Sequence, residues 1–296
     1  MLVAERPRAA GDAVRATERE SPAYPRALLD LADAPARVYL RGSDVPPCGA
    51  CVAIVGSRAA SPYGLAMAGR FAGDLASLGY TIVSGLARGV DAAAHRGALR
   101  AGGRTVAVVP SGLDHVTPEP HGPLADEVAA SGALLSEVAA GPPFGRGAFV
   151  KRNRLIAALA GVTVVVEAAE RSGALSTAAV ALRLGRGLCA VPGDLDRPTA
   201  LGVLALLRGG ASACGNAADV VAAMPQGLPV AAVRAADPLA RLREALGGQA
   251  ATVETLAAAA SLDLPEALAL LLRLRWSGIA EELPGQRWRR AGGEPR

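Results

Sequence analysis

Lysine is almost missing from this 296-residue chain: of 31 basic residues only Lys151 is a lysine, and the rest are arginines. Aromatic residues make up 3%, charged residues 20%, and there are four cysteines and three histidines. Each scarcity excludes something. Four cysteines are too few for a disulfide framework, and the histidines never cluster in sequence, so no stapled scaffold is expected. Cys48-x-x-Cys51 looks like half a zinc or redox site, but Cys189 and Cys214 lack the pair spacing that would complete it, so no metal is expected. No stretch reaches the roughly 18 uninterrupted apolar residues of a membrane helix. The first twenty residues are charged and carry no apolar segment of an export signal. The expectation is a cytoplasmic protein without a cofactor or a membrane partner. A net charge of +4 permits nucleic acid as a partner, and a local basic patch matters more than that total.

What the chain has in quantity is apolar residues, 51%, dealt out in short runs. Strand candidates are Cys51 to Val55, Thr81 to Val83, Thr105 to Val109, Ala133 to Leu135, Val162 to Val166 and Leu188 to Val191. Stretches with helical spacing, such as Leu65 to Leu78 and Val90 to Ala101, lie between them. Short, uniformly apolar strands alternating with helices predict an α/β fold, a mostly parallel sheet covered on both faces. Residues 1–47 read as a reduced N-terminal segment, its first twenty residues loose, with a strand-like Val38-Tyr39-Leu40. Residues 48–222 form the main domain and 223–236 a linker. Residues 237–296 offer three helices, Leu239 to Leu246, Thr252 to Ala260 and Pro265 to Trp276. Ile279 to Leu283 and Gln286 to Arg289 follow as a ribbon, which predicts a winged-helix domain with a basic tail.

Parallel sheets bind ligands beyond the carboxyl ends of their strands, so those ends are the places to search. The first core strand runs into Gly56-Ser57-Arg58, then Ser61, Pro62 and Gly64. Glycine lets a ligand approach, hydroxyls and amides grip phosphate, and arginine forks onto it. A dinucleotide fingerprint would need Gly-x-Gly-x-x-Gly, which is absent. The second strand ends in Ser84-Gly85-Leu86-Ala87-Arg88-Gly89. Ser172-Gly173, with Thr177 beyond, is placed at a helix start. Phe149-Val150-Lys151-Arg152-Asn153-Arg154 packs three cations and an amide behind one ring. Cations at the start of a packed helix oppose its dipole, which points to an anion there, and the ring to bases that stack.

The ordered set Gly56-Ser57-Arg58-x-x-Ser61-x-x-Gly64, Ser84-Gly85-x-Ala87-x-Gly89-x-Asp91, His95, Arg152-Asn153-Arg154-x-Ile156, Glu167, Ser172-Gly173-x-Leu175-x-Thr177-Ala178 and Val191-Pro192-Gly193 resembles the DNA-processing protein A (DprA/Smf) family. The likeness runs from about Tyr24 to Val221. It implies an extended Rossmann-like, doubly wound domain that binds single-stranded DNA, loads the RecA recombinase during natural transformation and forms homodimers. The family's pocket maps onto Arg58, the Ser84-Gly85 loop, Arg146, Phe149 and Arg152 to Arg154, with Phe149 as the stacking residue and Arg146 where relatives often carry lysine. The chain departs from the family at Val116-Thr117-Pro118 in place of Tyr-Pro, at Ala174 in place of a serine, and in having only some 45 residues before the first core strand.

The plainer readings are structural. One of Arg152 and Arg154 could pair with a core carboxylate such as Glu167, and Phe149 could cap the core. Asp91 and His95, four apart, could share a helix face for acid–base work, but no nucleophile accompanies them, so local hydrogen bonding explains them better. Glu137 and Glu167 read as neutralising buried arginines rather than as a catalytic pair. Arg287-Trp288-Arg289-Arg290 is either a DNA-reading wing or a solvated tail. Leu201 to Leu207 with Val220 and Val221 is either a dimer face or core. The reading is a DNA-binding protein rather than an enzyme. The alternatives are a nucleoside-phosphate hydrolase, whose Pro-Gly-Gly-x-Gly-Thr loop is missing here, and a regulator that binds duplex DNA through residues 237–290.

Overall fold

Successive residues of the core strands are buried on opposite faces. In β3 (Cys51–Val55), Val52 and Ile54 pack into one apolar cluster, and Cys51, Ala53 and Val55 into another. A strand covered on both sides has no solvent face, and so reads as an unbroken apolar run. The same holds for β4 (Thr81–Ser84), β5 (Thr105–Val108), β6 (Ala133–Ser136) and β7 (Val162–Val165), where every residue is buried. The computed structural model describes residues 13–116, 118–143, 145, 147–194, 196–228, 238–260 and 262–291.

The helices between these strands are α1 (Pro62–Ser77), α2 (Val90–Arg100), α3 (Gly122–Ser131) and α4 (Gly147–Leu159). After β7 come α5 (Gly173–Arg183), β8 (Gly187–Ala190), α6 (Pro198–Arg208), the short β9 (Ser212–Ala213) and α7 (Ala217–Ala222). Pairing from β6 through β5, β4, β3, β7 and β8 to β9 is parallel throughout. The chain winds outward from β3 in one direction, then returns to β7 on its other side. That reversal is the switch point of a Rossmann-like, doubly wound sheet, where adjacent loops part and leave a crevice. Helices α1 and α2 cover one face, α4 and α5 the other.

The amino-terminal segment differs from the expectation of a loose tail. Residues Arg15–Glu18 form β1, antiparallel to β2 (Arg37–Gly42), and β2 pairs antiparallel with β6. Charged residues read as loose because an edge strand needs only one buried side chain, here Thr17. The apolar stretch in α6 and α7 divides: Val203 and Val220 are core, while Leu201 is exposed. Among the described residues no single helix is long and apolar enough to cross a membrane.

Beyond residue 237 three helices, α8 (Pro238–Ala245), α9 (Val253–Ala260) and α10 (Leu264–Trp276), accompany a small antiparallel sheet of β10 (Ala251–Thr252), β11 (Ala280–Leu283) and β12 (Arg287–Arg290). The tail reading is corrected here. Trp288 is buried in the core of this unit, and Arg289 pairs with Glu281 across the ribbon. Its neighbour Arg290 donates to the Arg243 carbonyl. Most of the expected linker, from residue 229 to 236, lies outside the described residues.

Helices α1 and α2 meet through small residues. A Cβ on Gly97 would stand 2.2 Å from the Gly69 carbonyl oxygen, so the two backbones touch directly. By contrast, Gly147 lies in the first turn of α4 with nothing near its missing Cβ. Gly97→Val is therefore expected to destabilise the fold by about 1–3 kcal/mol or more through overpacking. Gly147→Ala is expected to raise stability by about 0.4–1 kcal/mol by restricting the unfolded chain. Thermal or urea unfolding of the two variants checks both signs.

Candidate functional site

The crevice at the switch point opens into a cavity of about 690 Å³. Three loops frame it: Gly56-Ser57-Arg58 after β3, the first turns of α4, and Arg171-Ser172-Gly173 leading into α5. Each is held by the fold. A Cβ on Gly56 would strike Val90 and the Glu167 carbonyl, and one on Gly89 (φ +78°) would lie 2.2 Å from the Ser57 carbonyl oxygen. The Val90 amide donates to that same Ser57 oxygen. The arginine loop is thus clamped between β7 and the start of α2, and it presents Arg58 exposed at the rim.

Glu167 has a different role from the one expected. Its carboxylate accepts from the Ser61 amide (2.9 Å) and hydroxyl, and no arginine among the described residues pairs with it. Ser61 in turn caps α1 by accepting from the Gly64 amide. Gly64 makes the room, since a Cβ there would meet the Glu167 carboxyl at 2.5 Å. The motif glycine is thus explained by a helix cap rather than by access for a ligand.

The basic run lies within α4, not ahead of it, because the helix begins at Gly147. Arg152 is buried, 3% exposed, and its guanidinium donates to the Gly85 carbonyl at 2.6 Å and to the Val108 carbonyl. Burial pushes its pKa down to about 10, so it is still charged at neutral pH. Asp91 lies beneath the same loop and accepts from the Ala87 amide. Burial raises its pKa, against the opposing pull of Arg152. Arg154 turns the other way, to Glu137 (2.7 Å) and Asp33 (2.8 Å), and Lys151 reaches Glu137 at 3.5 Å. Glu137 therefore takes the neutralising part expected of both glutamates. Asn153 donates to the Gly173 carbonyl and to Ser176, stapling α4 to the head of α5.

Of the expected contact residues, the structure gathers Gly56, Ser57, Arg58, Phe149, Arg152, Asn153, Ser172, Gly173 and Thr177 around the cavity. The Arg58 guanidinium lies 4.6 Å from the centre of the Phe149 ring. Ser84 and Gly85 are not among the cavity residues: the Ser84 hydroxyl is buried and donates to the Ile54 carbonyl, and Gly85 is covered by Arg152 and Asp91. Their sequence looked phosphate-compatible because side-chain type does not disclose direction. Arg154 and Lys151 also lie outside the cavity wall, and Arg146 lies outside the described residues. Sequence reasoning missed Arg171, which is exposed at the rim; its position just ahead of Ser172-Gly173 was the available signal.

Chemically, the cavity joins exposed arginines, a ring and the amino terminus of α5, where unpaired amides favour anions. Ser172 caps that helix by accepting from the Ala174 amide. A Cβ on Gly173 would meet nothing closer than 3.8 Å, so that end is open to an incoming group. Thr177 is buried at the cavity wall with its hydroxyl unpartnered. Asp91 is the one carboxylate in the lining, against Arg58, Arg152 and Arg171, which leaves the cavity positive.

His95 does not face the cavity. Thr105 Oγ1 donates to the Ile82 carbonyl, so it accepts from His95 Nδ1 at 2.7 Å, which leaves Nε2 as the bare nitrogen. That nitrogen is buried without a partner. Burial foremost, with the Arg152 charge adding to it, lowers the His95 pKa from 6.5 to about 3. A folded-state pKa below the unfolded one gives stability that is complete above pH 6.5 and is lost as pH falls toward 3. His95→Asn, which keeps a donor for Thr105, is expected to remove about 1.4 kcal/mol per pH unit of slope across that window. Urea unfolding of both proteins in steps from neutral to acid pH reads the difference.

The sequence profile described as DNA recombination-mediator protein A matches residues 15–225. A Mycobacterium tuberculosis relative carrying the DprA designation is 41% identical over 252 residues, covering 81% of this chain and 64% of its own length. The chain thus spans just under two thirds of that relative. The structure of DNA processing protein A from Streptococcus pneumoniae superimposes with a TM-score of 0.67 at 34% identity, over 71% of this chain and 74% of that one. The Helicobacter pylori DNA processing protein A, whose structure concerns a single-stranded DNA binding mode, gives 0.63 at 31% identity, over 71% and 95%.

Proposed function

The chain belongs to the DNA recombination-mediator protein A family, and on that premise we propose that it binds single-stranded DNA in the switch-point cavity. The observation that carries this reading is the pairing of Arg58 with Phe149 at the rim, over the open amino terminus of α5. A ring at the edge of a positive cavity takes a base on its face, and a guanidinium beside it takes the adjoining phosphate. A duplex hides its base faces, so stacking of this kind selects single strands.

Arg152 sits deeper, where its Nη1 is spent on two carbonyls, and acts on the strand as a positive charge held in place. Arg58 and Arg171 make the outer phosphate contacts, and Arg146, which precedes Gly147 in the sequence, is assigned the same part. The binding is sequence-tolerant and sensitive to salt, as phosphate contacts are. Catalysis is not part of the reading: Asp91 and His95 are spent on buried structural bonds.

The family's description as a recombination mediator supports extending this role to delivery of the strand to the RecA recombinase in the cytoplasm. Homodimerisation through the Rossmann-like domain belongs to the same proposal, as does a winged-helix assignment for residues 237–296. Arg58→Ala and Phe149→Ala are each expected to weaken affinity for a poly-dT oligomer by about 1–3 kcal/mol, roughly five- to a hundred-and-fiftyfold. Their unfolding midpoints should stay unchanged, since both side chains lie at the rim. Fluorescence anisotropy at moderate salt decides the matter, and wild-type affinity in both variants would remove the cavity from the path of the DNA.

A further inference from the structure

A second recess adjoins the cavity. It is a groove of about 540 Å³ between α1 and the beginning of α2, and Arg58 lines both. Four exposed arginines stand along it: Arg58, Arg88, Arg96 and Arg100. Its floor is made of small residues, Ala66, Ala92 and Ala93 among them, which leave width without offering hydrogen bonds. Among the described residues no carboxylate, Phe, Tyr or Trp lines it, and its one imidazole, His121, is buried and donates from Nδ1 to the Leu86 carbonyl.

Several arginines elsewhere in the molecule are neutralised by carboxylates: Arg41, Arg154, Arg186 and Arg289 each meet an Asp or Glu. Among the described residues, none of the four in the groove makes an ion pair, and the one side-chain partner of Arg58 is the Phe149 ring. Arg96 and Arg100 stand one turn apart on α2, a like-charge spacing that opposes helix formation until an anion offsets it. Gly89 fixes the geometry between the two recesses. With φ +78° and no space for a Cβ against the Ser57 carbonyl, it presses the Arg88 turn onto the Arg58 loop.

We propose that this groove is the phosphate track of the same DNA strand, a step that rests on the single-stranded DNA reading above. Bases are held in the cavity, where the ring is. The sugar–phosphate chain then passes Arg58 and runs along Arg88, Arg96 and Arg100, where guanidinium forks and the lack of an exposed ring suit phosphates alone. The groove thereby lengthens the footprint and gives the bound strand a direction across the α1–α2 face.

The test compares the full chain with an Arg88→Gln/Arg96→Gln/Arg100→Gln variant, using a short poly-dT of roughly 6 nucleotides and a long one of roughly 20, across a salt series. The variant should bind the short strand as wild type does. It should bind the long strand at least tenfold more weakly at low salt. The slope of log K against log salt for the long strand should shrink by about 2, the ~0.7 per phosphate of single strands over three contacts. Lysine at the same three positions should restore that slope. An unchanged long-strand slope in the glutamine variant overturns the groove, and so does an equal loss for both lengths. If the wild-type chain binds neither oligomer, the cavity reading itself fails and takes the groove with it.

Discussion

The guanidinium of Arg152 is the contact on which the binding end of the sheet depends. From α4 it reaches the carbonyl of Gly85 beyond β4 and that of Val108 at the end of β5, with Asp91 of α2 beside it. One side chain therefore ties a helix from the far face of the sheet to two strand ends and to a helix on the near face. A buried charge is tolerable only where hydrogen-bond acceptors surround it, and the carbonyls at the ends of a parallel sheet supply them. The same charge also bears on the neighbouring groups. It opposes the rise in the pKa of Asp91 and adds to the lowering at His95.

Around that contact, backbone approaches backbone more closely than any side chain would permit. Gly85 lies against Arg152 and Asp91, Gly89 against Ser57, Gly56 against Val90, and Gly64 against Glu167. These glycines fix the rim loops before any ligand arrives. Arg58 and Phe149 are therefore held next to each other at the mouth, and the strand need not order them. A binder built in this way loses less conformational entropy on association. The continuation of positive charge into the α1–α2 groove follows from the same clamp, since Gly89 brings the Arg88 turn onto the Arg58 loop.

Much of this was legible in the chain itself. The runs at Cys51–Val55, Thr105–Val108 and Val162–Val165 gave their strands away because burial on both faces leaves no position for a charged or solvent-facing side chain. The strand Arg15–Glu18 was not legible, since an edge strand is set by pairing with Arg37–Gly42 and not by its own apolar content. Ser84 and Arg58 both follow apolar strands and both belong to phosphate-like motifs. One hydroxyl points into the sheet and one guanidinium points out, a difference carried by the backbone turn after each strand. Arg152 and Arg154, two residues apart on a helix, were readable as cations of which one meets a carboxylate, but which is the ion-pair partner and which the core tie was not. Nothing in the sequence marks Arg96 and Arg100 out, and only the packing of α1 beside α2 makes them a wall.

Composition and order determined the alternation of strand and helix, the placement of glycine and hydroxyl residues at strand ends, and the family pattern, because each depends on local propensity and on burial that a short segment declares. The strand order, with its reversal between β3 and β7, was decided only in three dimensions. So was the fate of each arginine. A guanidinium finds its carbonyl, carboxylate, ring or solvent only when segments far apart in sequence meet, and Arg152 meets Gly85 across 67 residues. The single lysine makes the point in small: Lys151 stands out in the sequence, yet in the fold it leans on Glu137, away from the cavity that its neighbours frame.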